Sequence, residues 1–292
     1  MDSVSALILA GSLFIIMLGM GLSLIPADFQ RIFTRPKAIF TGLFNQLILL
    51  PLVGFGLAFL IPVDPVVAVG IIILAACPGG STSNLISHLA KGDTALSVSL
   101  TAASSLVTVL TIPFIVNLGL VTFIGVDKVV KLEVLPTIIQ IFAIAVFPVI
   151  IGMLIRRYKM NFALQMARPV RIASAIVLAL VIIGIVIKER DNMLRYFHEA
   201  GIIALLLNLI TMATGYLSAR LMKLDFKQAI SISIESGIQN GTMAITIATV
   251  LLANSEYAFA PAVYSLIMFG TAGVFIAWVL KKGKERSNNS TT

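Results

Sequence analysis

The chain has 292 residues, of which 59% are hydrophobic and only 12% are charged, and its mean hydropathy is +1.04. Because soluble domains carry about 25% charged residues, this composition excludes a water-soluble fold, a disordered chain and a collagen-like rod. The net charge of +8 does not indicate a nucleic-acid partner, since Lys and Arg in the loops of a membrane protein account for it. One cysteine and two histidines exclude a disulfide framework and a Cys-rich or His-rich metal site.

Apolar runs separated by short charged loops predict an all-α polytopic membrane protein with nine transmembrane helices and no large soluble domain. The N-terminal run lacks the basic start of a secretory signal, so it is interpreted as a retained span. Residues 281–292 are expected to form a polar cytoplasmic tail after one transmembrane transporter domain, residues 1–280. The predicted spans are 4–25, 38–62, 66–90, 94–121, 133–155, 172–188, 199–219, 228–252 and 260–280.

The basic residues favour one orientation in the membrane. With the N-terminus outside, sixteen of the 21 Lys and Arg residues fall in the inner loops or the C-terminal tail. This bias predicts an outside N-terminus and a cytoplasmic C-terminus, and the absence of a long targeting extension favours a bacterial inner membrane. The five basic residues left on the outer side are Lys128, Lys131, Lys188, Arg190 and Arg195.

Glu235 is the one acidic residue that the predicted spans place inside the membrane. A charge at the centre of a bilayer costs about 2.5–3.5 kcal/mol even on the most lenient insertion scale. Such a residue is therefore a functional-site candidate with a partner. The alternative is a carboxyl group that only braces neighbouring helices through hydrogen bonds.

Two of the predicted spans contain helix-breaking segments. The third span reads CPGGSTSN over 77–84, and the eighth reads ESGIQNGT over 235–242. Proline and glycine weaken a helix, and opened backbone in a membrane must be satisfied by protein or line a water-filled cavity. Because five crossings separate these spans, they run in opposite directions, as expected for the midplane site of a transporter built from inverted repeats. Ordinary packing of small residues is the alternative.

Further oxygen-bearing side chains are predicted near these breaks. Ser97 and Thr101 are four residues apart, so they share one face of the fourth span. Asn45 and Gln46 lie midway along the second span. Carbonyl, hydroxyl and carboxylate oxygens suit a hard cation such as sodium, whereas the soft ligands of a transition-metal site are missing.

Taken in order along the chain, these motifs resemble the bile acid:sodium symporter family over nearly the whole sequence. The resemblance implies inverted repeats and a nine-span form that lacks the first helix of ten-span bacterial relatives. It also implies a core domain with two crossing broken helices (spans within 38–121 and 199–280) and a panel domain (spans within 4–25 and 133–188). The motifs are GMGL at 19–22, CPGG at 77–80 followed by Ser83-Asn84, ALS at 95–97 and ESGIQN at 235–240.

The resemblance also implies two bound sodium ions and an organic anion as substrate. Glu235 would bridge the two ions, and the anion would offset the remaining positive charge. One ion would be held by Ser83, Asn84, Ser97, Thr101 and Glu235. The other would be held by Gln46, Glu235, Gln239 and main-chain carbonyls near Ser236 and Ile238.

Ser81, Thr82 and Asn240, at the helix breaks, are the expected contacts for the substrate. Bacterial relatives often carry a His-Asn pair in the last span, where this chain has Met268 and Phe269. The resemblance therefore leaves open whether the substrate is a bile acid or a small organic acid.

The sequence thus predicts a sodium-coupled symporter of an organic anion that works by alternating access, with the lipid bilayer as its environment and no obligate protein partner. One alternative is a proton-coupled carrier or exporter with Glu235 as the proton site. An intramembrane enzyme with Ser81 or Ser83 as nucleophile lacks a credible base. A passive channel is disfavoured because one carboxylate does not form a selectivity ring.

Overall fold

The computed structural model describes residues 3–126, 132–188 and 193–289. Within these ranges most residues are helical, short turns connect the helices, and the β-type pairing is one isolated bridge between Gly79 and Gln239. In chain order the helices are α1 (Ser3–Gly21), α2 (Pro26–Thr34), α3 (Pro36–Phe44), α4 (Leu50–Leu60), α5 (Pro65–Ala76), α6 (Ser81–Leu89), α7 (Thr94–Phe123), α8 (Val134–Ile141), α9 (Phe147–Tyr158), α10 (Met160–Lys188), α11 (Met193–Leu221), α12 (Phe226–Gly237), α13 (Gly241–Thr246) and α14 (Phe259–Asn289).

Several of these helices have the length and composition of membrane spans. If α1 and α2, which meet at a bend of 69°, are counted as one broken span, the described residues contain a sixth candidate beside five continuous ones. The chain is therefore an integral membrane protein, and the prediction of nine spans places the others on α5–α6, α10 and α12–α13. The continuous candidates are Pro36–Leu60, Thr94–Phe123, Val134–Tyr158, Phe197–Leu221 and Glu256–Lys282.

Large apolar side chains cover the outside of these helices. Leu52, Phe59, Phe114 and Leu118 are exposed, as suits a surface whose solvent is hydrocarbon. The two broken spans lie inside instead. α5 is buried from Val67 to Ala76 and packs against α4, α7 and α14, while α12 packs against α6, α7 and α11. The segments that carry the sequence motifs are thus enclosed by other helices.

Proline places a wide turn in two of the spans. π-Helical segments at Asn45–Leu49 and Phe142–Val146 each end two residues before a proline, Pro51 and Pro148 respectively. The proline ring clashes with the carbonyl four residues earlier, and a π turn is a local way of widening the helix. In the first case the widened turn carries Gln46, which is buried.

The sequence did not predict α2. Ile25 N–H donates to the Asp28 carboxylate at 2.8 Å, which satisfies a backbone donor at the start of the helix. Pro26 occupies the first turn, where its missing N–H costs no hydrogen bond. Asp28 also pairs with Arg31. α2 packs against α7, and it ends before Arg35, which pairs with Asp93 at the start of α7 at 2.5 Å.

The residues from 281 onward, expected to form a polar cytoplasmic tail, begin within α14, which continues as a helix to Asn289. The Lys and Glu residues of this stretch are good helix formers, so the loss of apolar character does not by itself end a helix. Lys128, Lys131 and Arg190, predicted on the outer side, lie outside the described residues. The described side chains likewise do not include those of Lys188 and Arg195.

The helices also form two packing groups. α1 packs against α9 and α10, with Gly21 and Gly152 at a contact too close for any Cβ atom. The broken spans pack with α4, α7, α11 and α14. The division into panel and core domains stays a prediction, and this packing is compatible with it.

The crossing of the two broken helices

The interruptions in α5–α6 and α12–α13 meet. Residues 77–80 and 238–240 run antiparallel, and they are joined by hydrogen bonds from Gly80 N–H to the Ile238 carbonyl at 3.3 Å and from Asn240 N–H to the Pro78 carbonyl at 3.0 Å. The backbone groups that the breaks release therefore satisfy each other. The prediction that both spans are broken, and that they run in opposite directions, agrees with this geometry.

Five oxygen-bearing residues, the oxygen cluster, surround one side of the crossing. The buried Glu235 carboxylate accepts hydrogen bonds from Ser83 Oγ at 2.7 Å, Ser97 Oγ at 3.0 Å and Thr101 Oγ1 at 2.5 Å. Asn84 Oδ1 completes the cluster, 2.9 Å from Ser97 Oγ and 3.2 Å from Thr101 Oγ1. These are the side chains expected for the first ion, and the fold brings all of them together.

The oxygen cluster has fewer hydrogens than close oxygen contacts. Thr101 Oγ1 lies near the Glu235 carboxylate, Asn84 Oδ1 and the Ser97 carbonyl at 3.1 Å, but it has only one hydrogen. Ser97 Oγ likewise lies near two acceptors. A cation among these oxygens would compensate the contacts that no hydrogen bridges, and their hard oxygen atoms suit an alkali or alkaline-earth ion.

Glycine is required beside the carboxylate. A Cβ atom on Gly79 would overlap a Glu235 carboxylate oxygen. The glycine therefore lets the backbone of one broken span approach the acidic side chain of the other.

A second group of polar atoms, the amide cluster, consists of Gln46 and Gln239 with the carbonyls of Cys77, Glu235 and Ser236. Gln46 Nε2 donates to Gln239 Oε1 at 2.7 Å and to the Cys77 carbonyl at 3.0 Å, and Gln239 Nε2 donates to the Ser236 carbonyl at 2.9 Å. The Glu235 carbonyl lies 3.4 Å from Gln239 Nε2. Glu235 thus joins the clusters through its main chain, while its carboxylate hydrogen bonds lie in the oxygen cluster.

Ser236 and Ile238, predicted as main-chain ligands, have no side-chain oxygen free for an ion. The Ser236 hydroxyl donates to the Ile232 carbonyl of its own helix at 2.8 Å, so it does not point to a ligand. The Ile238 carbonyl accepts from Gly80. Each could coordinate an ion only through a carbonyl oxygen.

Two residues that sequence reasoning did not select fix the unwound segment. Tyr264 Oη donates to the Gly237 carbonyl at 2.8 Å, and Asn208 Nδ2 donates to the same carbonyl at 2.7 Å. Both side chains are fully buried. A tyrosine with an apolar ring gives no polar signal within a span, so the sequence offered nothing to single it out.

A cavity of about 400 Å³ lies beside the crossing, between α1 and α10 on one side and α6 and α7 on the other. Its polar lining residues are Ser23, Ser81, Asn84, His88 and Thr94. Ser81, Asn84 and His88 lie on one face of α6, since they are spaced three and four residues apart. This spacing is the signal that could have identified them in the sequence.

Of the three expected substrate contacts, Ser81 lines this cavity. Thr82 and Asn240 lie at the crossing, next to Gly80. Asn240 Oδ1 accepts from Met243 N–H at 3.0 Å and so caps α13. Their role toward a substrate stays a prediction.

Several known proteins are similar in sequence to this chain. The sodium bile acid symporter family matches residues 10–196. A Bacillus subtilis protein named uncharacterized sodium-dependent transporter YocS is 31% identical over 283 residues, which are 95% of this chain and 85% of the relative.

Two further relatives come from a plant and an animal. The Arabidopsis thaliana protein named probable sodium/metabolite cotransporter BASS1, chloroplastic, is 29% identical over 92% of this chain and 66% of its own length. The human ileal sodium/bile acid cotransporter is 27% identical over 95% of this chain and 80% of its own length. Since the family match covers more than half of the chain, and the bacterial relative is matched over most of its length, the chain belongs to the sodium bile acid symporter family.

Proposed function

We propose that the protein is a secondary transporter that couples the movement of sodium to that of a small organic anion. The names of its relatives support sodium coupling in general, and the names differ in the transported compound, bile acid or metabolite. The substrate must therefore be argued from this chain's own residues.

The observation that carries the proposal is the oxygen cluster. A carboxylate that is only 2% exposed is surrounded by three hydroxyls and an amide oxygen, with too few hydrogens for its contacts. Sodium would bind among Ser83, Asn84, Ser97, Thr101 and Glu235 and neutralise the carboxylate. Oxygen ligands of this kind hold hard cations.

A second sodium ion would bind at the amide cluster, through Gln46, Glu235, Gln239 and the carbonyls near Ser236 and Ile238. Two sodium ions and one carboxylate leave one positive charge. An anionic substrate offsets that charge, so ions and anion would bind more tightly together than separately. This is a coupling free energy between sites, and it acts equally in both directions.

Asn84 connects the ion to the substrate. Its Oδ1 accepts from Ser97 and Thr101 in the oxygen cluster, and the same side chain lines the cavity. Sodium bound to Oδ1 would fix the amide and direct Nδ2 toward the cavity as a donor. Ser81, Thr82 and Asn240 would supply further polar contacts to the anion at the crossing.

Transport would follow from movement of the panel domain against the core domain. The cavity lies between α1 and α10, which belong to the predicted panel, and α6 and α7, which belong to the predicted core. Relative movement of these groups would expose the crossing to either side in turn. The bias of basic residues supports an outside N-terminus in a bacterial inner membrane.

Uptake by proteoliposomes tests the proposal. Proteoliposomes that contain the purified protein should accumulate a candidate organic acid from the external medium when an inward sodium gradient is imposed, and replacement of sodium by potassium should abolish the accumulation. Unchanged uptake in potassium would contradict sodium coupling. Uptake that follows an imposed proton gradient instead would favour the proton-coupled carrier.

A further inference from the structure

One face of α6 lines the cavity well beyond the helix crossing. Ser81, Asn84, Leu85 and His88 line it from successive turns of α6, as expected for residues that share one helix face. His88 is exposed, and its imidazole has no hydrogen-bond partner among the residues that the structure describes. This face of α6 therefore ends at the imidazole of His88, whose N–H group is available to a ligand.

Along its α6–α7 wall the cavity is polar at both ends and apolar between them. Asn84 and Ser81 lie at the crossing end, whereas His88 and Thr94 lie at the other end, on either side of the short turn that joins α6 to α7. Leu85 and Val98 line the stretch between these ends, together with Met20 of α1. This order of polar, apolar and polar groups matches a ligand with two polar ends and a hydrocarbon middle.

The lining is also free of competing charge. Among the lining side chains that the structure describes there is no carboxylate, Lys or Arg, and His88 is the one that can carry a positive charge. A protonated imidazole donates from both ring nitrogens, and hydrogen bonds to carboxylates from charged donors are stronger than neutral ones. His88 is thus suited to bind an anionic group at the far end of the cavity.

We propose that His88 is a substrate-binding residue and that the transported anion is a dicarboxylate. One carboxylate would be held at the crossing by Ser81 and Asn84, and the other by the imidazole of His88. This inference rests on the proposed function, since it concerns the same transported anion.

The geometry sets the length of the ligand. Ser81 and His88 are seven residues apart, which is about 10 Å along the helix axis. Helical side chains lean toward the N-terminus of the helix, so the imidazole lies closer to the crossing than its Cα atom does. The two carboxylates should therefore be separated by roughly one to two helical turns, or about 5 to 10 Å. Adipate and suberate reach this separation, and succinate is shorter.

The cavity volume agrees with a ligand of this size. Sites for small molecules commonly enclose about 300–1,000 Å³, and this cavity, at about 400 Å³, is near the lower limit. A short-chain dicarboxylate can be enclosed by that space.

Adipate and hexanoate form a matched pair of probes, because they have the same chain length and differ in the second carboxylate. Dissociation constants would be measured by titration of the purified full chain in sodium buffer. The wild type should bind adipate about tenfold more tightly than hexanoate, the effect of one hydrogen bond to a charged group. His88→Leu should remove most of this preference and leave the affinity for hexanoate within about twofold.

His198→Leu is the control, because His198 is the other histidine, is exposed, and lies on α11. It should leave the binding of both acids unchanged. His88→Gln, which keeps an N–H donor group but cannot carry a positive charge, should retain part of the preference for adipate. Equal affinity for both acids, binding of neither acid, or equal losses for both in His88→Leu would overturn the proposal.

The sodium dependence of the melting temperature, measured without any acid, separates this inference from the proposed function. Sodium stabilisation of the wild type without a preference for adipate would overturn only the dicarboxylate. Preference for adipate that needs His88 but is independent of sodium would overturn the sodium-coupled function and leave the role of His88 standing.

Discussion

The oxygen cluster and the amide cluster lie at the same helix crossing, but their polar atoms are satisfied in different ways. In the oxygen cluster a buried carboxylate and an amide oxygen share the hydrogens of only three hydroxyls. In the amide cluster Gln46 and Gln239 donate to each other and to main-chain carbonyls. One cluster has an excess of acceptors and a negative charge, while the other is neutral and nearly complete without a ligand.

This difference indicates that the two predicted sodium sites are unequal. A cation entering the oxygen cluster replaces few good hydrogen bonds and neutralises a carboxylate in a low-dielectric environment, where the attraction is strong. A cation entering the amide cluster must first displace amide hydrogens from carbonyl oxygens. We therefore expect the oxygen cluster to bind sodium more tightly, and the amide cluster to fill second.

Removing the charge of the oxygen cluster should have the largest effect. Glu235→Gln keeps the shape of the side chain but removes the negative charge, so sodium affinity should fall on the order of 100-fold. Sodium-driven uptake should then fall to background. Sodium normally stabilises the state that binds it, so the rise of melting temperature with sodium should disappear.

The same variant makes a second, opposite prediction. Without sodium, the wild type holds a carboxylate in a buried site, and the amide removes that cost. Glu235→Gln should therefore melt at the same temperature as the wild type or higher in sodium-free buffer. A variant that melts lower there and still responds to sodium would show that Glu235 is a structural residue.

Crowding the carboxylate should have the next largest effect. Alanine at Gly79 would place a methyl group against a Glu235 carboxylate oxygen, so Gly79→Ala should weaken sodium binding about tenfold or more by displacing that side chain. Gly56→Ala is the matched control, because a Cβ atom there has open space. Sodium titrations that show no difference between the two variants would contradict the close approach at the crossing.

Removing one hydroxyl should have a smaller effect. Thr101→Val keeps the volume of the side chain but deletes an oxygen of the cluster, and it should weaken sodium about threefold to tenfold. Thr108→Val is the control, since Thr108 is also buried on α7 and its hydroxyl bonds to the Ser104 carbonyl of its own helix at 2.8 Å. Sodium-dependent melting curves of both variants would measure the difference.

The composition of the oxygen cluster could be predicted from sequence because local rules apply to it. Proline and glycine within apolar runs identified the breaks, and a spacing of four residues placed Ser97 and Thr101 on one helix face. The charge of Glu235 was conspicuous in a chain with few charges. Ligand residues beyond these came from the family resemblance, not from spacing.

What the sequence could not predict depends on contacts between distant residues or on the phase of a helix. The bridge between Gly79 and Gln239 joins segments that lie far apart in the chain. The π turn that carries Gln46 and the short helix α2 both interrupt the regular periods on which span prediction depends. His88 lies near the end of a predicted span, where the sequence assigns it no role, and only the cavity relates it to Ser81.

Removing a side-chain amide from the amide cluster should cause the smallest change in the affinity of the first sodium ion. It should cause the clearest change in the shape of the sodium-binding curve. Gln46→Leu removes the amide that donates to Gln239 and Cys77, so the second ion should no longer bind. Sodium titrations of the wild type should show two binding steps, and those of the variant should show only the first and tighter step, with that affinity weakened only about twofold. Asn45→Leu is the control, because this neighbouring buried amide bonds to the Thr41 carbonyl at 2.7 Å and to Ser218 Oγ at 2.8 Å, outside both clusters. If the control also loses the second binding step, the loss reflects disruption of the π turn. If Gln46→Leu abolishes all sodium binding, the two clusters act as one site and the proposed order of filling is wrong.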